Sequence, residues 1–363
     1  MKVYIHVPFC HSKCAYCDFY STPRTDMMDA YVSAVGREWQ RLGASFAADT
    51  LYLGGGTPSS LPPGLLDRLI STIPFEMELR ECTIEANPED VTPAWACHVM
   101  DFTPVRRVSM GIQTFDDAIL SMLGRRHTGA RAAEAYGVLR EAGFTNLSCD
   151  LIYGLPGQSL DGWKRDVDRL IEMRPEHISA YLLSYEPRTR LGVMLAHGKV
   201  TEASDTLAGE MYGYLCEAAR AAGYDHYEIS NFALPGFRAI HNSSYWDGSD
   251  YLGLGPGAHS MVGGERWHNP SDLSLYCRHT SDIRVPDTED LLNRHNDMLI
   301  TSLRTSGGLD PARIGPKLLP GFLEAAAPLL RRGLLCITPA GHYVIPEHHW
   351  LIADSILLDL IEV

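Results

Sequence analysis

The 363-residue chain lacks any run approaching the ~20 apolar residues of a membrane-spanning helix, so no spanning segment is expected. Its opening, MKVYIHVPFC, has neither the long apolar core nor the small-residue cleavage site of a secretion signal. Basic charge is also short. Against 45 Asp and Glu stand 31 Lys and Arg, a formal net charge of -14, which argues against a broad basic face for nucleic acid. There is no internal repeat and no low-complexity tract. The nine cysteines are an odd number, which without an export signal favours reduced thiols or a metal cluster over a disulfide framework. A cytoplasmic protein is expected. Apolar residues at 45% and charged residues at 21% are ordinary for a globular enzyme, and this length predicts one large domain with a small one.

What the chain does have is a rhythm. Short β-rich runs at 3–7, 50–53, 82–86, 107–112, 146–152 and 177–183 alternate with helical patterns at 28–41, 64–73, 130–142 and 162–173. Six βα units predict an α/β fold, a partial (β/α)6 TIM-like barrel, with an open doubly wound sheet as the competitor. A further helix at 205–222 leads to YDHYEIS, an extra strand closing the region. Residues 235–290 read as ordered loop, being rich in Gly, Asn, Ser, His and aromatics. Beyond 290 a small helical domain follows, with RGLLCITPAGHYVI as a β-wing. Its Lys and Arg are scattered, so a structural role is favoured over DNA binding. The expected divisions are 1–235, 236–290 and 291–363.

Cys10, Cys14 and Cys17 fall in one loop directly after the first strand, as C-x3-C-x2-C. Compact thiolates select zinc, copper(I) or an iron–sulfur cluster. A Cys3His zinc site closed by His6 or His11 stays open. A [4Fe–4S] cube held by three thiolates leaves one iron free for a non-protein ligand, so Phe19, where a fourth cysteine would stand, reads as an opening and not a defect. Cys82, Cys97, Cys149, Cys216, Cys277 and Cys336 are scattered and read as small buried apolar residues.

The triplet, with Tyr16 before its last cysteine, resembles the radical S-adenosylmethionine (SAM) superfamily. That resemblance implies a [4Fe–4S] cluster on Cys10, Cys14 and Cys17, whose open iron chelates SAM for reductive cleavage to a 5′-deoxyadenosyl radical. Each strand ends in a polar or glycine-rich motif, as a barrel with its site at the C-terminal ends requires. The resemblance implies that Gly55, Gly56 and Thr57 in LGGGTPSSL meet the methionyl amino end, with Glu85 beside it. Gln113 and Asp150 take the ribose, and Arg125 pairs with the carboxylate. Arg126 and Arg107 are rivals for that last task. Tyr4 and Tyr16 flank the cluster and SAM, and Ser184 at the end of strand six is a further SAM candidate. No catalytic residue is assigned.

YIHVPFCHSKCAYCDF, LYLGGGTPSSL, RVSMGIQTF and DLIYGLPGQ resemble the HemN-like family of the oxygen-independent coproporphyrinogen III oxidase. The oxidase branch has another cysteine in place of Phe19 and an extension before the first strand. The haem-chaperone branch, HemW, has C-x3-C-x-Y-C-x-F and H-N-x-x-Y-W, which this chain matches with CHSKCAYCDF and with HNSSYW at 241–246. The resemblance implies haem binding, with His241 as iron ligand and His259 as the alternative, and delivery to acceptor haemoproteins such as membrane respiratory enzymes. An electron donor and transient membrane encounters are implied as well. Oxidative decarboxylation of coproporphyrinogen III, a step of porphyrin biosynthesis, is the alternative function.

Overall fold

Six strands form where the apolar runs meet their polar ends: β1 (Lys2–Val7), β2 (Thr50–Gly55), β3 (Glu81–Ala86), β4 (Arg107–Gln113), β5 (Asn146–Tyr153) and β6 (His177–Leu182). They pair in parallel and in chain order, in a computed structural model that describes residues 1–43, 46–75, 79–279, 281–287 and 290–361. Expected helices appear as Met28–Leu42, Pro63–Ser71, Gly129–Glu141, Leu160–Met173 and Asp205–Ala221. Three more, Pro93–Phe102, Asp117–Leu123 and Arg190–Ala196, were not anticipated. Two of these are only one or two turns long, too short to set up a periodic signal.

Alternation along the strands separates two environments. Val3, Ile5 and Val7 are wholly buried and join Tyr31, Val32, Val35 and Trp39 of the first helix in one apolar cluster. The opposite face of the sheet is polar. The register sets Tyr4 against Tyr52, Glu85 against Ser109, Gly111 against Asp150 and Asp150 against Ser179. The barrel interior is therefore lined for binding, not for packing.

Two expectations need correction. YDHYEIS does not close the barrel by itself: β7 (Asp225–Glu228) lies at the outer edge, and β8 (Asn231–Ala233) pairs antiparallel with β6. Residues 235–290, where described, are not one continuous loop. HNSSYW lies in the helix Ile240–Asp247, followed by β9 (Tyr251–Leu254), β10 (His259–Val262), β11 (Glu265–His268) and β12 (Val285–Asp287). β9 pairs in parallel with β1 as a seventh parallel strand, and the described strands run β12-β11-β10-β9-β1-β2-β3-β4-β5-β6-β8-β7. Buried Glu38 fastens this addition. Its carboxylate accepts from Gly255 N at 3.0 Å, Tyr276 OH at 2.5 Å and Asn269 Nδ2 at 2.7 Å. These partners lie 217 to 238 residues away along the chain, beyond any local pattern.

Beyond it, the helices Leu291–Leu303 and Leu319–Arg331 precede a short antiparallel wing, β13 (Cys336–Ile337) with β14 (Tyr343–Val344). Among the described residues, no helix is long and apolar enough to cross a membrane.

Candidate cofactor site at the barrel mouth

The cysteine loop is tied to the mouth of the barrel by its own backbone. Cys10 N donates to Thr22 O at 3.1 Å, and Ala15 N donates to Leu123 O at 2.8 Å beyond β4. The Ala15 carbonyl in turn accepts from Leu191 N at 2.8 Å beyond β6. Ala15 is buried, so the loop rests on the end of one distant helix and the start of another, and all three cysteines stay half-buried beside the cavity. Burial pushes the Cys10 thiol up and the Cys17 thiol up to about 11. Metal binding there must displace protons.

Strand β2 ends in glycines because nothing larger fits. Gly55 has φ +103°, and a Cβ there would stand 2.4 Å from the His6 ring. A Cβ on Gly56 would meet the Val7 and Phe9 carbonyls at 2.6 and 2.8 Å. The turn that follows brings Thr57 Oγ1 to 3.3 Å from Cys10 Sγ. On β3, Glu85 accepts from Gly55 N at 3.0 Å and from Tyr52 OH at 3.0 Å. Burial pushes its carboxyl up to about 7, a rise the Tyr52 and Gly55 donors only partly offset.

A ladder irregularity between Gly111 and Gln113 turns the end of β4 inward, and Gln113 takes φ +69°. For a residue with a side chain this is an uncommon backbone conformation, of the kind concentrated at functional sites. Arg125 reaches back from the loop after the helix Asp117–Leu123. Its Nη2 donates to Asn87 Oδ1 at 2.8 Å and Gly111 O at 2.6 Å, and its Nη1 lies 3.6 Å from Cys14 Sγ. Buried Nε has no protein partner. Asp150 faces Ser109, whose hydroxyl lies 3.3 Å from both carboxylate oxygens, and burial holds its carboxyl above the ordinary carboxylate range.

One cavity of ≈ 410 Å³ gathers these groups: Cys10, Cys14, Tyr16, Cys17, Gly55, Gly56, Thr57, Glu85, Gln113, Arg125 and Asp150 all line it. A model of the radical SAM superfamily matches residues 4–170. The heme chaperone HemW of Lactococcus lactis is 38% identical over 284 residues, 76% of this chain and 74% of its own length. That of Mycobacterium tuberculosis is 33% identical over 99% of this chain and 94% of its own length. The chain belongs to the radical SAM superfamily and, within it, to the HemW family. HemN from Escherichia coli shares the fold, with a TM-score of 0.82 at 23% identity over 99% of this chain and 89% of its own.

Membership implies a [4Fe–4S] cluster and SAM, and the donor set fits both. The His6 ring is held away from the thiols, with Nε2 facing Tyr20 O at 2.8 Å and Nδ1 facing Tyr4 OH at 3.1 Å. The three cysteines line one cavity without that imidazole. The unpartnered Arg125 Nε and the carboxylates of Glu85 and Asp150 offer complementary charge to a zwitterionic ligand.

Three expected residues fall outside the cavity lining. Tyr4 packs behind it, its ring 6.1 Å from those of Tyr52 and His6. Ser184 is on the surface and donates to Glu186 Oε1 at 2.6 Å. His241 sits at the opposite end of the barrel, beside the first residues of β2 and β3. Its backbone N–H donates to Glu81, Nδ1 lies 2.8 Å from Thr50 Oγ1, and Nε2 lies 3.0 Å from Tyr245 OH. Both ring nitrogens are therefore engaged and the ring is fully buried. His259, the alternative, is exposed on β10 and paired with Asp287. Arg107, a rival of Arg125, is buried in the barrel interior and does not line the cavity. Of the six scattered cysteines, Cys82 and Cys149 are buried as expected, but Cys97 and Cys336 are exposed.

Sequence reading missed Asn87, Tyr52, Ser179, Tyr181 and Asn242, all of which line the cavity. Asn87 lies in EANPED at the end of β3, and Asn242 lies in HNSSYW. Both were within reach of motif reasoning. Tyr52 and Ser179 needed the strand register to show which way they face.

Proposed function

We propose that the chain is a haem chaperone that holds a [4Fe–4S] cluster on Cys10, Cys14 and Cys17, binds SAM in the adjoining cavity, and hands haem to acceptor haemoproteins. When bound, the cluster supplies an electron and an open iron for SAM. The chain's own residues hold and orient SAM: Arg125 faces the carboxylate, Gly55, Gly56, Thr57 and Glu85 the ammonium end, and Gln113 with Asp150 the ribose.

Phe19 carries the reading. It stands 66% exposed on the rim of the cavity, where Tyr181 is 44% exposed and Lys13 adds a cation. Apolar faces beside a cation suit a flat macrocycle with carboxylate arms. The relatives' name, heme chaperone, supports the same assignment. His241, at the opposite end of the barrel from Phe19, is a separate candidate for the iron, by exchanging its contact with Tyr245 for it. The divisions at 235 and 290 then set a SAM-binding barrel, a haem-ligand segment and a C-terminal helical domain in series.

The test is anaerobic reconstitution followed by parallel assays of haem binding, haem transfer to an apo-haemoprotein, and coproporphyrinogen III turnover. Haem binding and transfer without protoporphyrinogen formation are expected. Robust protoporphyrinogen formation would sink the chaperone reading in favour of the oxidase.

A further inference from the structure

Away from the barrel mouth, Cys216, His226 and Glu347 converge from three separate elements. Cys216 lies on the helix Asp205–Ala221, His226 on edge strand β7, and Glu347 opens the short C-terminal helix Glu347–Ile352. One ligand atom from each lies within 4.8 Å of the others. Cys216 Sγ stands 3.9 Å from His226 Nδ1, and Glu347 Oε1 stands 2.9 Å from that same nitrogen. A tetrahedral zinc ion with bonds of about 2.3 Å to sulfur and about 2.0 Å to nitrogen or oxygen separates S from N by about 3.6 Å and N from O by about 3.3 Å. The sulfur–nitrogen distance is longer than its value by about 0.3 Å and the nitrogen–oxygen distance shorter by about 0.4 Å, so small side-chain movements suffice.

The imidazole is held for this task. Its ring stacks on Phe232 with centroids 4.0 Å apart and meets the edge of Trp350 at 4.4 Å. Nε2 faces the Ile229 carbonyl at 3.4 Å, with Tyr212 OH at 3.5 Å. An Nε2–H donated to that carbonyl leaves the Nδ1 lone pair aimed at the thiol and the carboxylate, the tautomer that metal-ligating histidines adopt. A cation between Nδ1 and Glu347 Oε1 would take the place of their direct contact at 2.9 Å. Arg220 is the competitor. Its Nη2 holds Glu347 Oε1 at 2.8 Å, yet its side chain is 61% exposed and can move outward.

We propose that Cys216, His226 and Glu347 form a binding site for a divalent, thiophilic transition metal such as zinc, which fastens the C-terminal domain to the last edge of the barrel sheet. The thiol loses its proton to solvent as the metal binds, and water completes the shell through the half-exposed Glu347. The site is separate from Cys10, Cys14 and Cys17 and does not depend on the haem-chaperone assignment.

Cluster-loaded protein keeps those three cysteines occupied during the test. After zinc addition and dialysis against a weak chelator, one zinc per chain is expected, with one sulfur ligand in its X-ray absorption spectrum. Cys216→Ser removes the sulfur signal, and both Cys216→Ser and Glu347→Gln lower zinc affinity roughly tenfold or more. Both changes are close in size to the native side chains and leave the stacking of His226 on Phe232 and Trp350 in place, so folding is expected to be preserved. Arg220→Ala, which removes the competitor, raises affinity. Cluster-loaded protein that retains no zinc overturns the proposal, as does equal retention by wild type, Cys216→Ser and Glu347→Gln.

Discussion

Glu85 Oε2 accepts a hydrogen bond from the Gly55 backbone N–H at 3.0 Å, joining the ends of β2 and β3 at the wall of the cavity. Burial raises this carboxyl to about 7 from an ordinary 4.5, so near neutrality it is only partly ionised. An ammonium beside it requires the carboxylate, and binding therefore releases the proton. SAM affinity should fall as pH drops below about 7, approaching tenfold per pH unit, and level off above it. Glu85→Gln should flatten the profile and weaken binding at pH 8. Calorimetric titration of cluster-loaded protein checks this; matching pH profiles in wild type and Glu85→Gln would remove Glu85 from the SAM site.

Arg125 combines contacts that only a guanidinium fork can make at once, to Asn87, to the Gly111 carbonyl and toward Cys14. Lysine keeps the charge but supplies one point of contact. Losing a charge-assisted hydrogen bond of roughly 1.5–3 kcal/mol predicts SAM affinity roughly 10- to 100-fold lower in Arg125→Lys. Iron and sulfide content should stay at the wild-type level, because the thiol ligands are untouched. A loss of cluster in this variant would instead place Arg125 among the supports of the cysteine loop.

The barrel was legible because each βα unit has a short apolar run and a polar end, and both signals are local. Gly55, Gly56 and Thr57 were legible for the same reason, since the glycines directly follow a strand. The seventh parallel strand was not. Tyr251–Leu254 is a short YLGL run amid glycines, and it becomes a strand by pairing with β1 and through Glu38 holding Gly255. The surroundings of His241 were not legible for a related reason. Spacing shows a histidine beside aromatics, but Glu81, 160 residues earlier, supplies the carboxylate that caps its helix and draws the ring inside.

The engaged state of His241 makes a signed prediction about haem. Burial lowers its pKa to about 3, so the ring is neutral and able to ligate, while the Tyr245 hydroxyl occupies Nε2. Tyr245→Phe keeps the ring packed on Tyr251 and removes that hydroxyl. Losing a hydrogen bond of about 1 kcal/mol predicts haem affinity about fivefold higher in Tyr245→Phe, and His241→Ala should abolish the bound-haem spectrum. Haem titrations with unchanged spectra and affinities in both variants would leave His241 as a strut of the barrel floor, as its contacts with Thr50 and Glu81 already make it.

Glu38 offers the clearest test of how the barrel carries its added strands. Its buried carboxylate receives three donors, from Gly255, Tyr276 and Asn269, and all three belong to the segment that brings β9 onto β1. Truncation to alanine strands those donors in a dry interior and opens a cavity between the first helix and the loop after β9. An orphaned buried donor costs about 1–3 kcal/mol, so Glu38→Ala should destabilise by roughly 3–5 kcal/mol once some donors find water. Glu38→Gln retains two acceptor lone pairs and the volume, and should lose about half as much. Thermal and denaturant unfolding of the cluster-free chain measure both. Equal stability of wild type and Glu38→Ala would mean that the β1–β9 ladder alone holds the segment in place.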